Sequence, residues 1–230
     1  MQGEFIYAKY ALFCMRLLKD RWNAAELEAG MPEGLEGAYH LIMWGLTSAL
    51  RRERPELLEL LTQKVLPVLV VAREPLSPEL VSWACGCDDD NALGTRGIRD
   101  QVQELLEKGL AHLFPLRPGP GGGTVAQPYH KSVLDWLKCE EGNDAGAFRV
   151  EPTLGHELLG LVGDAYLSRR AGFPDVVIEN RYALRHTLAH LSLACGGPKL
   201  PLALSAGRPS TSEAALKRLL LSVGFWEVRM

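Results

Sequence analysis

The sequence predicts a mainly α-helical protein that contains one short β-hairpin. Apolar residues recur at spacings of three and four along most of the chain, which is the period of an amphipathic helix. Two apolar stretches that read as strands flank a glycine-rich run at residues 119–123, a pattern typical of a hairpin and its tip. No segment repeats at a period of roughly 20 to 50 residues, so the pattern does not indicate a repeat protein.

Composition places the chain among ordinary folded proteins. Of its 230 residues, 47% are hydrophobic and 23% are charged, and the formal net charge is −3. This charge creates no overall field that would attract nucleic acid or an acidic membrane. The five cysteines are an odd number without a C-x-x-C pair, which predicts reduced thiols in a cytoplasmic protein.

The chain begins with a helical segment at residues 1–53. Its first predicted helix runs from about Glu4 to Lys19 and is interrupted by only two basic residues, Lys9 and Arg16. No basic region precedes it, so it fits neither a signal peptide nor a membrane-spanning helix. A helix that is apolar on so many sides needs partners, and we therefore expect the chain to continue a larger polypeptide. A second helix follows at residues 35–50.

Residues 54–139 begin with two helices that are marked by their prolines. The first runs from Glu56 to about Val71, with Pro67 predicted to bend it. The second begins at Pro78, because Ser77 is a natural N-cap and proline suits the first helical position.

A third helix, a hairpin and a closing helix complete this stretch. The third helix covers about Arg96 to Lys108 and is predicted to end at Gly109 in the left-handed conformation. Strands are predicted at residues 110–116 and 124–129, and a helix follows the second strand. Three helices, a two-stranded wing and a closing helix together predict a winged-helix module at residues 54–139.

The closing helix starts at His130. Trp136 and Leu137 belong to the apolar stripe that anchors this helix. The N–H groups and the dipole at a helix start favour negative charge, and an imidazole adds a donor, so His130 is a candidate contact for an anion. The same histidine could serve only to cap or pack its own helix, and the residues leave both roles open.

Further helices follow the predicted winged-helix module. Two of them, at about 154–169 and 178–194, form a small helical domain at residues 148–195. Residues 196–210 are rich in Gly, Pro and Ser and are predicted to be a linker. A terminal amphipathic helix lies within residues 211–230.

Three histidines of the helical domain suggest chemistry, but simpler roles are favoured. His186 and His190 lie one helical turn apart, as two metal ligands would. No third ligand and no H-E-x-x-H motif accompanies them, so a packing or interhelical role is predicted and no metal site. His156 and Glu157 are predicted to be a helix cap or an exposed pair rather than an acid–base couple.

A winged-helix module often binds DNA, so a nucleic-acid-binding module is an alternative. Its third helix would then need exposed basic residues. Here the basic and acidic residues of that helix balance: Arg96, Arg99 and Lys108 against Asp100, Glu104 and Glu107. The wing adds only Arg117, and so few cations argue against nucleic acid as a partner.

Six short motifs occur in a fixed order between about Gly3 and Leu193. They are Glu4-Phe5-Ile6-Tyr7-Ala8, Met31-Pro32-Glu33-Gly34-Leu35 with Tyr39, Ala72-Arg73-Glu74-Pro75-Leu76, His130-Lys131-Ser132 with Trp136-Leu137, Gly155-His156 with Leu159, and Tyr182-Ala183-Leu184-Arg185-His186 with His190-Leu191. In this order they resemble the C-terminal half of the nucleotide-binding module of STAND-class ATPases, the NACHT and NB-ARC families. The matching parts are the lid helices, the winged helix and the helical domain after it.

This resemblance implies a regulatory role. In that family the histidine that opens the helix after the wing contacts the phosphate of the bound nucleotide, and its position matches His130 here. ADP then draws the winged helix onto the ATPase core, and nucleotide exchange releases it for oligomerisation. The implied partners are an upstream nucleotide-binding core or a paralogous full-length protein, together with other proteins, and no membrane.

The sequence departs from that family by lacking the catalytic half. No G-x-x-x-x-G-K-[ST] motif and no Gly-Lys pair occurs, and no apolar strand ends in acidic residues that could hold Mg²⁺. We therefore expect no ATP hydrolysis and no cofactor binding by this chain alone; ADP or ATP is implied only with a missing upstream core. An inactive, truncated gene product is a further alternative.

Overall fold

A computed structural model describes seven stretches of the chain: residues 7–12, 34–86, 94–119, 122–138, 148–168, 177–196 and 211–221. In these stretches the protein is mainly α-helical and has one two-stranded antiparallel sheet, which confirms the predicted fold class. No helix among the described residues combines the length and apolar character needed to cross a membrane.

The elements follow one another in the predicted order. They are α1 (7–12), α2 (Gly34–Glu53), α3 (the consecutive segments Pro55–Leu60, Leu61–Val65 and Leu66–Val71), α4 (Pro78–Gly86), α5 (Gly94–Glu104 and Leu105–Gly109), β1 (Leu116–Pro118), β2 (Thr124–Ala126), α6 (Lys131–Lys138), α7 (Pro152–Ser168), α8 (Val177–Ala194) and α9 (Thr211–Leu221). Three helices (α3 to α5), the hairpin and the closing helix α6 thus occupy the stretch predicted as a winged-helix module. The predicted linker lies outside the described residues except for Gly196.

The middle of α3 is a π-helical turn, Leu61–Val65. The N–H of Leu66 bonds to the carbonyl of Leu61, five residues earlier. Pro67 has no N–H to donate, and its ring crowds the carbonyl four residues before it, which a wider turn can accommodate. The sequence predicted a bend at Pro67, and the structure shows a π turn that ends two residues before it.

Both ends of α4 are satisfied by side chains. Ser77 Oγ accepts a hydrogen bond from the N–H of Leu80 at 3.1 Å, and the helix begins at Pro78, as predicted. At the other end Lys64 Nζ donates to the carbonyl oxygen of Cys85 at 2.8 Å. A helix of nine residues leaves unpaired groups at each end, so these two contacts matter for its stability.

The predicted left-handed cap at Gly109 is wrong. α5 ends in a π turn in which the N–H of Leu110 bonds to the Leu105 carbonyl at 2.7 Å, and Gly109 does not have a positive φ. A Cβ at this position would lie 3.2 Å from Cδ1 of Leu46 in α2. The glycine therefore lies where α2 approaches α5 closely, and its backbone is not left-handed.

The strand predicted at residues 110–116 is also wrong over most of its length. The N–H groups of Leu113 and Phe114 both bond to the Leu110 carbonyl, at 2.9 and 2.7 Å, and close a turn. These three side chains are buried in the core. An apolar run of this length fits a strand or a buried turn equally well, and tertiary packing selected the turn here.

The hairpin is short and is tied to the segment before α4. Arg117 of β1 pairs with Val125 of β2, and the tip contains Gly122 with φ of 87°. Leu76 exchanges two backbone hydrogen bonds with Ala126, at 3.2 and 2.7 Å. The residue that precedes Ser77 therefore extends the sheet by one position and joins α4 to the wing.

One hydrophobic core runs through segments that the sequence assigns to three domains. Its buried members include Tyr39 of α2, Leu69 of α3, Trp136 of α6 and Leu159 of α7. A smaller cluster around Leu191 joins α8 to α9. Buried residues of the three segments predicted at 1–53, 54–139 and 148–195 therefore pack against one another in this core.

The crossing of α7 over α3 depends on a glycine. A Cβ built on Gly155 would lie 2.1 Å from the carbonyl oxygen of Pro67 and 2.9 Å from Cγ2 of Val71. The first of these neighbours is backbone, which cannot rotate away. The two helices can approach this closely only where α7 has no side chain.

We expect Gly155→Ala to destabilise the protein by at least about 2 kcal/mol, because overpacking forces two helices apart. Gly97→Ala is the matched control: Gly97 is exposed on α5, and a Cβ at this position would have no neighbour within 4 Å. That change should stabilise by about 0.5–1 kcal/mol through helix propensity. Urea unfolding followed by circular dichroism measures both, and effects of the same sign would contradict the close contact at Gly155.

Candidate functional site

His130 lies immediately before α6, and its side chain caps that helix. The N–H of Ser132 donates to Nδ1 of His130 at 3.3 Å, and Ser132 Oγ lies 2.7 Å from the same nitrogen. The N–H of Val133 bonds to the His130 carbonyl at 3.1 Å. An imidazole nitrogen thus takes the place that a serine or aspartate oxygen usually occupies at an N-cap.

These contacts assign the neutral tautomer of His130. A backbone N–H can only donate, so Nδ1 must accept and carries no hydrogen. The hydrogen of the neutral ring is therefore on Nε2. Within the described stretches no group bonds to Nε2, and the ring is partly exposed. His130 accordingly offers one N–H donor to another molecule.

A second residue extends this contact into the core. The hydroxyl oxygens of Ser132 and Tyr39 are 2.7 Å apart, and the Tyr39 side chain is fully buried. Since Ser132 donates its hydrogen to Nδ1, Tyr39 donates to Ser132. Burial raises the pKa of Tyr39 above its ordinary value, so the phenol keeps the hydrogen that it donates. A chain of hydrogen bonds thus runs from α2 through Ser132 to His130.

Sequence reasoning did not identify Tyr39 and Ser132 as partners of His130. Both stand in the motifs that carry the family resemblance, which is the signal that could have marked them. They are 93 residues apart, and no helical or strand periodicity relates positions at that distance.

The two predicted anchors of α6 are buried. Trp136 is 1% exposed and Leu137 is fully buried. The Trp136 ring lies 5.6 Å from the Tyr39 ring and 6.1 Å from the Phe148 ring, between centroids. These contacts fix α6 against α2 and against the segment that leads to α7, and they hold the helix start in place.

Positive charge collects beside Tyr129, the residue before His130. Lys9 Nζ lies 3.5 Å from the centroid of the Tyr129 ring, and Arg117 Cζ lies 5.8 Å from it. Burial, and then the charge of Lys9, hold the pKa of His112 below its ordinary value. The helix start at His130 therefore borders a region that favours an anion.

On the face of α5 that a DNA-binding winged helix would use, the basic side chains are paired with acidic ones. Arg99 pairs with Glu79 at 3.0 Å, Lys108 with Glu104 at 3.9 Å, and Arg54 of the preceding segment with Glu104 at 3.5 Å. Each of these cations is opposed by a carboxylate. The described part of this face carries little net positive charge, and few phosphate contacts are available to it.

The prediction for His156 is wrong, because this residue belongs to a partly buried histidine pair. Its Nδ1 lies 2.7 Å from Nδ1 of His190, which is fully buried, so the interhelical role predicted for His190 is confirmed. Glu157 points elsewhere and accepts a hydrogen bond from Ser212 at 3.1 Å. The two histidines come together only because α7 packs against α8, so the sequence of either helix alone does not predict the pair.

His186, the other predicted candidate on α8, contacts a carboxylate. Its Nε2 lies 2.9 Å from Oε1 of Glu74, which also accepts a bond from Arg185 at 3.2 Å. His186 and Arg185 together lower the pKa of Glu74. In the part of the chain that the structure describes, no three His, Cys, Asp or Glu side chains are grouped so that they could hold a metal ion.

No protein-family model, curated protein or solved structure matches the chain. The donor of His130 lies at a helix start, and two cations lie against the ring of Tyr129, the residue before His130.

A double-mutant cycle tests the Tyr39–Ser132–His130 chain. Ser132→Ala should cost about 1–3 kcal/mol, because it leaves the buried Tyr39 hydroxyl without its acceptor. Tyr39→Phe should destabilise the unaltered protein but cost little more once Ser132 is alanine. The difference between these two effects is the coupling free energy, which we expect to be about 1 kcal/mol. Thermal and urea unfolding of the four proteins measure this, and strictly additive effects would contradict the hydrogen bond.

Proposed function

We propose that this chain is a regulatory part of a STAND-type signalling ATPase in the cytoplasm. It docks on a nucleotide-binding core through the start of α6, and it relays the state of the bound nucleotide to partner proteins. Catalysis belongs to that core and not to this chain. The observation that carries the proposal is the oriented Nε2–H donor of His130 at a helix start.

The chemistry of that donor suits a nucleotide phosphate. A phosphate oxygen accepts hydrogen bonds strongly, and a bond between a neutral donor and an anion contributes about 1.5–3 kcal/mol. That amount corresponds to roughly a tenfold to hundredfold change in affinity. Lys9 and Arg117, beside Tyr129, add long-range attraction for the same anion.

The contacts of His130 also support a conformational role. Two short hydrogen bonds and the Tyr39–Trp136 ring contact connect the helix start to the core. A ligand that pulled on His130 would therefore act on α2 and α6 together. Such a rigid connection is what a sensor needs in order to convert a phosphate contact into a domain movement.

The chain by itself should not bind ADP measurably at micromolar concentration, because it lacks the phosphate-binding loop that supplies most of the donors. Isothermal titration calorimetry of the purified chain with ADP measures this. Saturable binding of one ADP at micromolar affinity would show that the chain is a complete nucleotide site, contrary to the proposal.

A positive test needs a nucleotide-binding core. If the reading frame upstream of Met1 encodes a phosphate-loop lysine, the joined protein can be expressed and its ADP affinity measured. His130→Ala should weaken that affinity at least about tenfold, through loss of one donor to the phosphate. His40→Ala is the control, since His40 is an exposed histidine of α2 outside the hydrogen-bond chain. Equal affinities for the two variants would refute the sensor role.

The alternatives are a nucleic-acid-binding winged helix and an inactive truncated product. The paired charges of α5 give the first little support. Tight duplex binding in a gel-shift series at low salt would nevertheless favour it over the proposal. Failure of the joined protein to hold nucleotide at all would favour the second.

A further inference from the structure

Three elements meet at the histidine pair of α7 and α8. His190 is fully buried, with Nδ1 at 2.7 Å from Nδ1 of His156 and Nε2 at 2.9 Å from the Tyr182 hydroxyl. The N–H of Arg73 contacts the same hydroxyl at 3.4 Å. The pair and Tyr182 thus join α7, α8 and the loop at residues 72–75, which connects α3 to α4.

The three hydrogen bonds observed in this cluster can all form when both rings are neutral. Tyr182 accepts from the Arg73 N–H and donates to Nε2 of His190. His190 then carries its hydrogen on Nδ1 and donates it to Nδ1 of His156, whose own hydrogen is on Nε2.

Added protons disrupt this arrangement. After the first proton is added, Nε2 of His190 carries a hydrogen and donates it to the Tyr182 oxygen. The phenol hydrogen of Tyr182 then has lost its acceptor. The second places two hydrogens between nitrogen atoms that are only 2.7 Å apart. Among the described residues no carboxylate contacts either ring of the pair, and a buried imidazolium pair without a counter-ion is costly in a low-dielectric interior.

The charged groups around the pair make protonation harder. Arg73 faces it from the loop, Lys138 from α6 and His186 from α8, while the Glu74 carboxylate is engaged by His186 and Arg185. Burial, followed by Arg73 and Lys138, lowers the pKa of His156 to about 4. Burial, followed by the nearby His156, Arg73 and His186, lowers the pKa of His190 to about 3. Burial raises the pKa of Tyr182 to about 12, so the phenol stays neutral.

We propose that the paired imidazoles of His156 and His190 form an acid-sensitive latch, which holds α8 against α7 and the 72–75 loop and releases α8 when the pair takes up protons. The loop also lines a cleft of about 310 Å³ that is shared with Phe114 and with Leu134 of α6. Release of α8 therefore removes a support from one wall of this cleft. The latch is independent of any nucleotide and of the role proposed for His130.

The sign of the pH effect follows from proton binding in the two states. A released histidine titrates near its ordinary pKa of 6.5, above the values of the closed pair. The closed state therefore binds fewer protons, and it is fully favoured above about pH 6.5. As the pH falls from there towards about 4, the opening constant rises about tenfold per pH unit for each histidine. The pKa of Glu74 is lowered, so its carboxylate keeps its charge in the upper part of this window.

Hydrogen–deuterium exchange of the whole chain tests the latch. Corrected for intrinsic exchange chemistry, the opening constant of α8 amides should rise roughly seventyfold between about pH 7 and about pH 5.5, since two histidines contribute. Amides of Leu66–Val71 in α3 should change much less, because opening is local. An equal rise in both helices, or none in α8, would overturn the proposal.

A substitution of His156 tests whether the protons taken up on opening bind to the histidine pair. His156→Asn keeps an acceptor at the position of Nδ1 but does not titrate, so the rise in α8 should fall to roughly eightfold. His40→Asn removes an exposed histidine outside the cluster and should keep the full rise. A full rise in His156→Asn would refute the assignment.

Heteronuclear NMR of the unaltered chain provides a test that does not depend on the folding of a variant. At about pH 5.5 the imidazoles of His156 and His190 should still be neutral in the closed state, whereas an unperturbed histidine is charged there. Two charged rings in a folded chain with protected α8 amides would overturn the proposal.

Discussion

The fold depends on the complete burial of the second half of α3. All six residues of Leu66–Val71 are buried, so this helix has no face that water can reach. A helix that is apolar all round must be covered on every side, and its neighbours are thereby specified. α7 crosses it at Gly155, and α4 and α6 pack on it as well. The helices that pack on it include α6, which carries Ser132, and α7, which carries His156.

The two networks solve the same physical problem in different places. A buried hydroxyl or imidazole is costly unless it has a partner, and each network supplies partners from distant parts of the chain. Tyr39 reaches His130 through Ser132, and Tyr182 reaches His156 through His190. At His130 a backbone N–H donates to the ring and fixes its tautomer. At His190 the tautomer follows from the Tyr182 hydroxyl, whose hydrogen needs Nε2 as its acceptor. The first network ends at a histidine at a helix start, whereas the second joins two helices and a loop.

Capping and turn preferences predicted correctly those elements that are determined by residues adjacent in the sequence. Ser77 and Pro78 start α4 because a serine cap and a proline at the first turn act within four residues. The same rules failed at Gly109 and at residues 110–114. There the approach of Leu46 and the burial of Leu113 and Phe114 outweighed the local pattern. Tertiary packing seldom changes a long segment with helical periodicity, whereas it can change the conformation of a single turn.

The sequence by itself determined the mainly helical class, the order of helices and hairpin, and the position of His130 before α6, because these follow from periodicity and from capping chemistry. Tertiary structure alone decided that Tyr39 meets Ser132 and that His156 meets His190. Tyr39 and Ser132 are 93 residues apart in the sequence, and His156 and His190 are 34 apart. Contacts at such separations depend on how the helices pack around the buried α3, and no local pattern encodes that packing.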